Sequence, residues 1–165
     1  MPFFQGRADF GFRYPENRKY CSAPNRIANA EDTLVSVRAP VGDINLAWER
    51  CCVGRGVAAV RHRSGARFFT YHAFCSLQDE LKSFEHTGTV FGAINKTSFE
   101  ALSFIEPSRD VIEAFERSAG AFDDELKSKI EDSRTLAKLR NTLLPKLISG
   151  ELRVPDAERI VEAVR

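Results

Sequence analysis

The candidates for nucleophilic catalysis or metal binding in this sequence include four cysteines and three histidines. No two of the cysteines form a C-x-x-C pair, and the histidines lack the short spacings that a zinc site requires. We therefore expect buried thiols in a reducing compartment, with no metal and no other cofactor. The cysteines are Cys21, Cys51, Cys52 and Cys75.

A thiol enzyme would need one of these cysteines beside a histidine. Cys52 or Cys75 as the nucleophile, with His72 as the base, is the combination to consider. No G-x-S-x-G, H-E-x-x-H or phosphate-loop pattern occurs in the chain. We expect no catalytic residues and a chain that is not an enzyme, and a cysteine-dependent enzyme is the alternative.

The positive charge is concentrated in the first half of the chain. Residues 1–78 carry 11 Lys/Arg against 6 Asp/Glu, whereas residues 79–165 carry 13 against 17. The early cations alternate with aromatic residues, a composition that suits nucleic acid because cations contact phosphates and planar polar groups contact base edges. The plain alternative is that the aromatic residues form the core and the cations its solvated rim.

Short strands followed by helices are the elements that would position these residues. The first thirty residues lack a helical period, which predicts loops with one short extended piece. The remaining patterns predict three strands, then a helix, then a helical turn that runs into a strand. Gly54 and Gly56 predict a bulge or a close backbone approach in the third strand. The predicted ranges are strands at Asp32–Val37, Ile44–Ala47 and Val53–Val60, a helix through Phe74–Phe84 that ends at His86–Thr89, and the mixed segment Ser98–Ile105.

From Asp110 to Ile148 the composition predicts one long helix. Asp110 and Glu113 form a capping-box pattern at its start, and Gly150 suits its C-terminal cap. About 40 residues at 1.5 Å each would reach about 60 Å, too far to be covered by a domain whose radius of gyration is about 13 Å. The alternative is two shorter helices, broken at Gly120, that fold back on the domain.

The apolar stripe of this helix should therefore pack against another helix, in a second chain if this one supplies none. Its heptad register drifts, which favours an antiparallel or irregular pairing over a regular zipper. The predicted dimerisation residues are Phe115, Phe122, Leu126, Ile130, Leu136, Leu139, Leu143 and Leu147.

Several stretches of the chain resemble the target recognition domain of type I restriction–modification specificity subunits. These stretches are PFFQGRADFG (2–11), DTLVSVRAPVGDINLA (32–47), CCVGRGVAAVR (51–61) and TGTVFGAINKTSFEALSFIEPS (87–108). The stretch LRNTLLPKLISGELRV (139–154) is similar to the end of the long helix that follows such a domain. The resemblance covers nearly the whole chain, in the order of the family.

The resemblance implies an α+β fold in three parts. These are a β-rich target recognition domain over 1–108, a long spacer and dimerisation helix over 109–150 that pairs as an antiparallel coiled coil, and a tail over 151–165. In the family, the specificity subunit selects the DNA sequence and does no chemistry. Each of its recognition domains contacts one half of a bipartite target, while methylation and restriction subunits carry the catalytic activities.

The implied partners are double-stranded DNA, the methylation and restriction subunits, and a second copy of the chain or another specificity chain. With one recognition domain, one helix and no family opening segment before Phe3, the sequence resembles a half-subunit. The alternative is a truncated remnant that dimerises through its helix and binds no DNA.

No stretch approaches the 18 to 20 apolar residues of a membrane span and no leader opens the chain, so we expect a cytoplasmic protein.

Within this framework, particular side chains become candidates for DNA contact. Gln5 or Arg7 could lie at a base edge, and Arg38 falls in the turn after a predicted strand. Arg55 lies between two glycines that permit close approach to a ligand. The alternative role for Arg55 is a salt bridge with Asp43 or Glu49. The full set is Gln5, Arg7, Arg13, Arg18, Lys19, Arg38, Arg55, Asn95 and Lys96.

Overall fold

The computed structural model describes residues 1–85 and 92–163. It contains two compact units, Met1–Ala119 and the residues from Gly120 onward. The elements are β1 (Phe3–Phe4), a 3-10 turn (Arg7–Asp9), β2 (Ile27–Ala28), β3 (Thr33–Ser36), β4 (Ile44–Leu46), β5 (Cys51–Val53), β6 (Val57–Val60), α1 (Arg67–Ser76), α2 (Gln78–Ser83), α3 (Lys96–Glu100), α4 (Arg109–Ile148) and α5 (Val154–Glu162). The predicted α+β class, with a long helix after a β-rich region, is confirmed.

The six strands form two three-stranded sheets in the first unit. One sheet has the order β1-β5-β2, with β1 parallel and β2 antiparallel to the central strand. The other has the order β4-β3-β6 and is antiparallel throughout. The strands are rich in apolar residues, and the buried side chains form one core, against which Phe10 also packs. This core comprises Phe4, Ala28, Leu34, Ala47, Cys51, Val53 and Val57.

The single strand predicted over Val53–Val60 is wrong, because the chain turns at Gly54–Gly56 and leaves one sheet for the other. A β-carbon at Gly56 would overlap the carbonyl oxygen of Gln5, and one at Gly54 would lie 3.1 Å from the Gln5 Cα. These glycines therefore allow close approach of the chain's own backbone, as one of the two alternatives for this segment predicted.

The helix predicted through Phe74–Phe84 is two helices, α1 and α2, which meet at Leu77. Its apolar period was correct, because Phe74, Leu77 and Leu81 are all buried. The predicted end at His86–Thr89 lies outside the described residues.

The strand predicted at the end of Ser98–Ile105 is wrong. The segment Leu102–Ile105 has no strand pairing in the structure, and Ile105 is 93% exposed. The helical turn predicted before it corresponds to α3.

Helix α4 runs without a break from Arg109 to Ile148, so the alternative of two helices separated at Gly120 is wrong. The helix begins one residue before Asp110, which lies within its first turn and does not form the cap. The predicted C-terminal cap is confirmed, because Gly150 has a φ of 75° and the Leu152 N–H donates to the Lys146 carbonyl at 3.1 Å. Beyond it, the predicted tail contains the helix α5.

Within the first unit, the start of α4 packs on α1. Ile112 is 5% exposed, and the ring of Phe115 meets those of Phe69 and His72 edge to face. The Glu116 carboxylate accepts the Phe69 N–H at 2.7 Å. Because Ala66 at the N-cap of α1 has no side-chain oxygen, Glu116 satisfies one of the free N–H groups of that helix from another element.

Candidate nucleic-acid interface

A cleft of about 1020 Å³ in the first unit brings together five of the nine predicted DNA contacts. Its lining also includes the turn Gly54–Gly56, the 3-10 turn, and the segment Ala39–Pro40. The predicted residues that line it are Gln5, Arg7, Lys19, Arg38 and Arg55. Residues far apart in the sequence are therefore adjacent at one concave surface.

Two of these residues are positioned by β1. Gln5 directly follows that strand. Lys19 lies beside it, because the Phe3 N–H donates to the Lys19 carbonyl at 2.9 Å and Pro2 bridges to Tyr20. The segment that carries Lys19 is thus an additional extended partner of β1, which places an exposed ammonium group at the cleft.

Arg38 and Arg55 are brought together by the extension of the second sheet. Beyond β3, the Val37 N–H donates to the Gly56 carbonyl at 2.9 Å, which joins the segment with Arg38 to the turn with Arg55. On the other side of this segment, Arg38 bridges to Ala93. The exposed guanidinium groups of both arginines therefore originate from backbone that is hydrogen-bonded into the sheet.

A buried carboxylate closes the loop that carries Gln5. Asp9 is 6% exposed, and its Oδ2 atom accepts the N–H of Gln5 at 2.7 Å and that of Gly6 at 3.4 Å. Sequence reasoning missed this residue. An acidic residue three positions after a glycine is a local signal for a capped turn and could have identified it.

The cations of the cleft differ in how far they are compensated. Arg7 pairs with Asp43, with Nε and Oδ2 2.7 Å apart. Among the described residues, Lys19, Arg38 and Arg55 have no carboxylate within 4.0 Å. The cleft therefore presents three uncompensated positive charges and one amide, a combination suited to an anionic polymer.

The alternative salt bridge of Arg55 with Asp43 or Glu49 does not form in the described part of the chain. Asp43 is bound to Arg7, and Glu49 accepts a hydrogen bond from Asn17 at 3.1 Å. The Arg55 guanidinium is consequently available at the tip of its turn.

The other four predicted DNA contacts do not line the cleft. The Arg13 guanidinium lies 4.1 Å from the centre of the Tyr71 ring, and Arg18 binds the Glu16 carboxylate and the Ala8 carbonyl. The remaining two, Asn95 and Lys96, lie at the start of α3. The Asn95 side chain accepts the Ser98 N–H at 2.8 Å, and the Lys96 ammonium is 3.6 Å from Glu100.

The thiols differ in exposure, because Cys51 is buried in β5 whereas Cys21 and Cys75 are partly exposed. Burial, followed by the charge of Asp32, raises the pKa of Cys51 to about 12, so this thiol stays protonated and poorly nucleophilic near neutral pH. Cys52 is also buried, in the middle of β5, while the His72 ring packs on Phe115 of α4. The described ranges contain no group of three or more potential metal ligands. They also contain no helix long and apolar enough to cross a bilayer.

The predicted dimerisation stripe differs in exposure along α4. Phe115 packs on α1, whereas Phe122 and Leu136, in the second unit, are 77% and 61% exposed. Ile148, which was not among the predicted residues, is 78% exposed. The half-buried members are Leu126, Ile130, Leu139, Leu143 and Leu147.

Comparisons with known proteins identify relatives over most of the chain, although no family model matches it. The chain is 31% identical over 156 residues to a protein described as a candidate MjaX specificity subunit of a type I restriction enzyme, from Methanocaldococcus jannaschii. The match covers 93% of this chain and 36% of that protein. The HindI specificity subunit of Haemophilus influenzae is 32% identical over 78 residues, or 47% of this chain and 17% of that subunit.

Solved structures give the same result for the fold. The HsdS subunit of Thermoanaerobacter tengcongensis matches 92% of this chain and 38% of its own, with a TM-score of 0.62 and 33% identity. A second solved chain comes from a structure of the assembly and conformational transition of a type I restriction–modification system. The match covers 92% of this chain and 39% of that chain, with a TM-score of 0.58 and 35% identity. The S subunit of M. genitalium shares the fold, with a TM-score of 0.64 at 20% identity.

The arrangement of two small sheets followed by a long helix is thus the fold of type I specificity subunits. The chain is a homologue of these restriction–modification subunits, which confirms the resemblance carried by its motifs, and it spans 36% of the length of the MjaX protein.

Proposed function

We propose that the chain recognises a specific double-stranded DNA sequence, one half of a bipartite target, within a type I restriction–modification complex. The observation that supports this most strongly is the cleft, where five of the predicted DNA contacts meet in a homologue of specificity subunits. Lys19, Arg38 and Arg55 would contact phosphates, since guanidinium and ammonium groups supply most of the affinity for the DNA backbone.

In this proposal, the parts of the chain have separate roles. Residues 1–108 form the target recognition domain, residues 109–150 form the spacer helix, and residues 151–165 form the tail. Asn95 and Lys96 belong to the same DNA-facing region as Arg38, because Ala93 bridges to Arg38. Arg13 and Arg18, which do not line the cleft, would be further contacts to the DNA.

The chain itself would carry no catalytic activity and need no cofactor. Methylation and restriction subunits would supply the chemistry, in the cytoplasm where the DNA is found. The exposed Phe122 and Leu136 support pairing of α4, as an antiparallel coiled coil, with a second copy of the chain or another specificity chain.

The same exposed side chains favour a second candidate function, a remnant that associates through its helix and binds no DNA. The two functions differ in whether residues 1–108 bind DNA. Both require the helix α4 to pair with another helix. Measurement of DNA selection therefore separates them.

The test is selection from a library of randomised DNA duplexes by the purified full chain, alone and with the methylation subunits of a type I system. We expect enrichment of one short motif, because cations at the cleft hold the duplex while polar groups discriminate bases. Recovery of no motif under either condition would contradict the proposal and leave the association module.

A further inference from the structure

The loop after β1 holds the backbone of Gln5 from both sides. On one side, the buried Asp9 carboxylate accepts the Gln5 N–H at 2.7 Å. On the other side, the turn Gly54–Gly56 lies so close that a β-carbon at Gly54 would be 3.1 Å from the Gln5 Cα. The backbone is therefore fixed at a position whose side chain is exposed.

The Gln5 side chain itself is free to bind. Its amide has no hydrogen bond to any residue in the described ranges, and it lines the cleft beside Arg38 and Arg55. Arg7, the other residue at this loop that could reach a base edge, is bound to Asp43. Gln5 is thus the available neutral polar group among the uncompensated cations.

The chemistry of an amide defines what it can recognise. A glutamine presents an acceptor and a donor side by side, which match the N6 amino group and N7 of adenine in the major groove. A guanidinium presents donors only and matches guanine. The neighbouring cations would fix the register of the duplex through its phosphates without selecting a base.

We propose that Gln5 is a specificity-determining residue that reads one adenine of the recognised half-site. This inference rests on the proposed function, since it assigns one contact within that DNA complex. Because the Gln5 backbone is already fixed, only the side-chain torsions would have to be ordered when the amide binds a base.

The test repeats the selection from randomised duplexes with full-length Gln5→Ala and Gln5→Glu variants. In Gln5→Ala, the preference for adenine at one position of the wild-type motif should fall at least about tenfold, with the other positions retained. In Gln5→Glu, that position should change towards cytosine, whose N4 amino group donates to a carboxylate. The control is Gln78→Ala on α2, a half-buried glutamine that does not line the cleft, and this variant should select the wild-type motif.

The outcomes separate this inference from the function on which it rests. If the wild-type chain selects a motif and both Gln5 variants select the same one, the assignment of Gln5 is overturned and DNA recognition stands. Loss of preference at a position where the wild type selects a base other than adenine would also overturn it. If the wild-type chain selects no motif, the proposed function fails, and the assignment of Gln5 fails with it.

Discussion

At the scale of single residues, the shape of the cleft depends on the close approach of Gly56 to Gln5. A methyl group at position 56 would overlap the Gln5 carbonyl oxygen, which is backbone and cannot rotate away. We expect Gly56→Ala to lower the free energy of unfolding by about 1–3 kcal/mol, as overpacked sites do. Urea denaturation of the two proteins measures this difference.

Gly6→Ala is the matched control for this prediction. Its added β-carbon would have no heavy atom of the described residues within 4 Å, and its backbone is extended, with a φ of −175°. The free energy of unfolding should therefore stay within about 0.5 kcal/mol of that of the wild type. Equal stabilities of Gly56→Ala and Gly6→Ala would contradict the packing described for this turn.

The residue types of the cleft could be predicted from the sequence, but their pairings could not. Arg38 and Arg55 were candidates because each lies in a predicted turn or between glycines. The partner of Asp43 depends on which arginine the fold brings near, and the structure selects Arg7. The spacing from Gly6 to Asp9 could have predicted the capped turn, but not the burial of Asp9, because burial of a single polar residue has no sequence period.

At the scale of elements, α1 depends on a cap that α4 provides. The Glu116 Oε1 atom accepts the Phe69 N–H at 2.7 Å, in the first turn of α1. We expect Glu116→Ala to lower the free energy of unfolding by about 1 kcal/mol, the typical cost of losing an N-cap. Glu116→Gln should retain most of the stability, because its amide oxygen can still accept the bond.

Glu113→Ala is the control, one turn earlier on the same helix. Among residues 1–85 and 92–163, Glu113 pairs only with the exposed Arg109, at 2.7 Å, so its loss should change stability by no more than about 0.5 kcal/mol. Thermal or urea unfolding of the three variants measures the differences. If Glu113→Ala and Glu116→Ala destabilise equally, Glu116 does not act as a cap.

Elements with a long apolar period were predictable, whereas those fixed by distant contacts were not. The period and the glycine cap identified α4 up to Ile148, because both signals are local. The start of α1 was missed because Glu116, 47 residues away, satisfies its first turn. Strands β5 and β6 are separated by a turn that packs against the Gln5 backbone. The sequence of the turn does not reveal this distant neighbour.

At the scale of the whole molecule, the exposed apolar side chains of α4 should mediate association. Phe122 and Leu136 expose 77% and 61% of their surface, and burying such groups against another helix is favourable. We expect the wild-type chain to be larger than a monomer by light scattering, and Phe122→Glu combined with Leu136→Glu to be monomeric. Thr135→Glu, an exposed polar position on another face of the helix, should leave the mass unchanged.

If the wild-type chain is already monomeric, pairing with a second copy is contradicted. Pairing with another specificity chain would then require mixing the two proteins and repeating the measurement. A double variant that keeps the wild-type mass would instead show that these two side chains do not form the contact.

If the cleft is the surface that binds DNA, the salt dependence of binding should change when its cations are removed. The slope of log affinity against log salt counts the phosphates neutralised, at about 0.9 for each. Arg38→Ala and Arg55→Ala should each reduce this slope by about 1, and the double variant by about 2. Arg50→Ala, an exposed arginine outside the cleft, should leave the slope of the wild type unchanged. Unchanged slopes in the cleft variants, or an equal reduction in Arg50→Ala, would show that the cleft is not the surface that binds DNA.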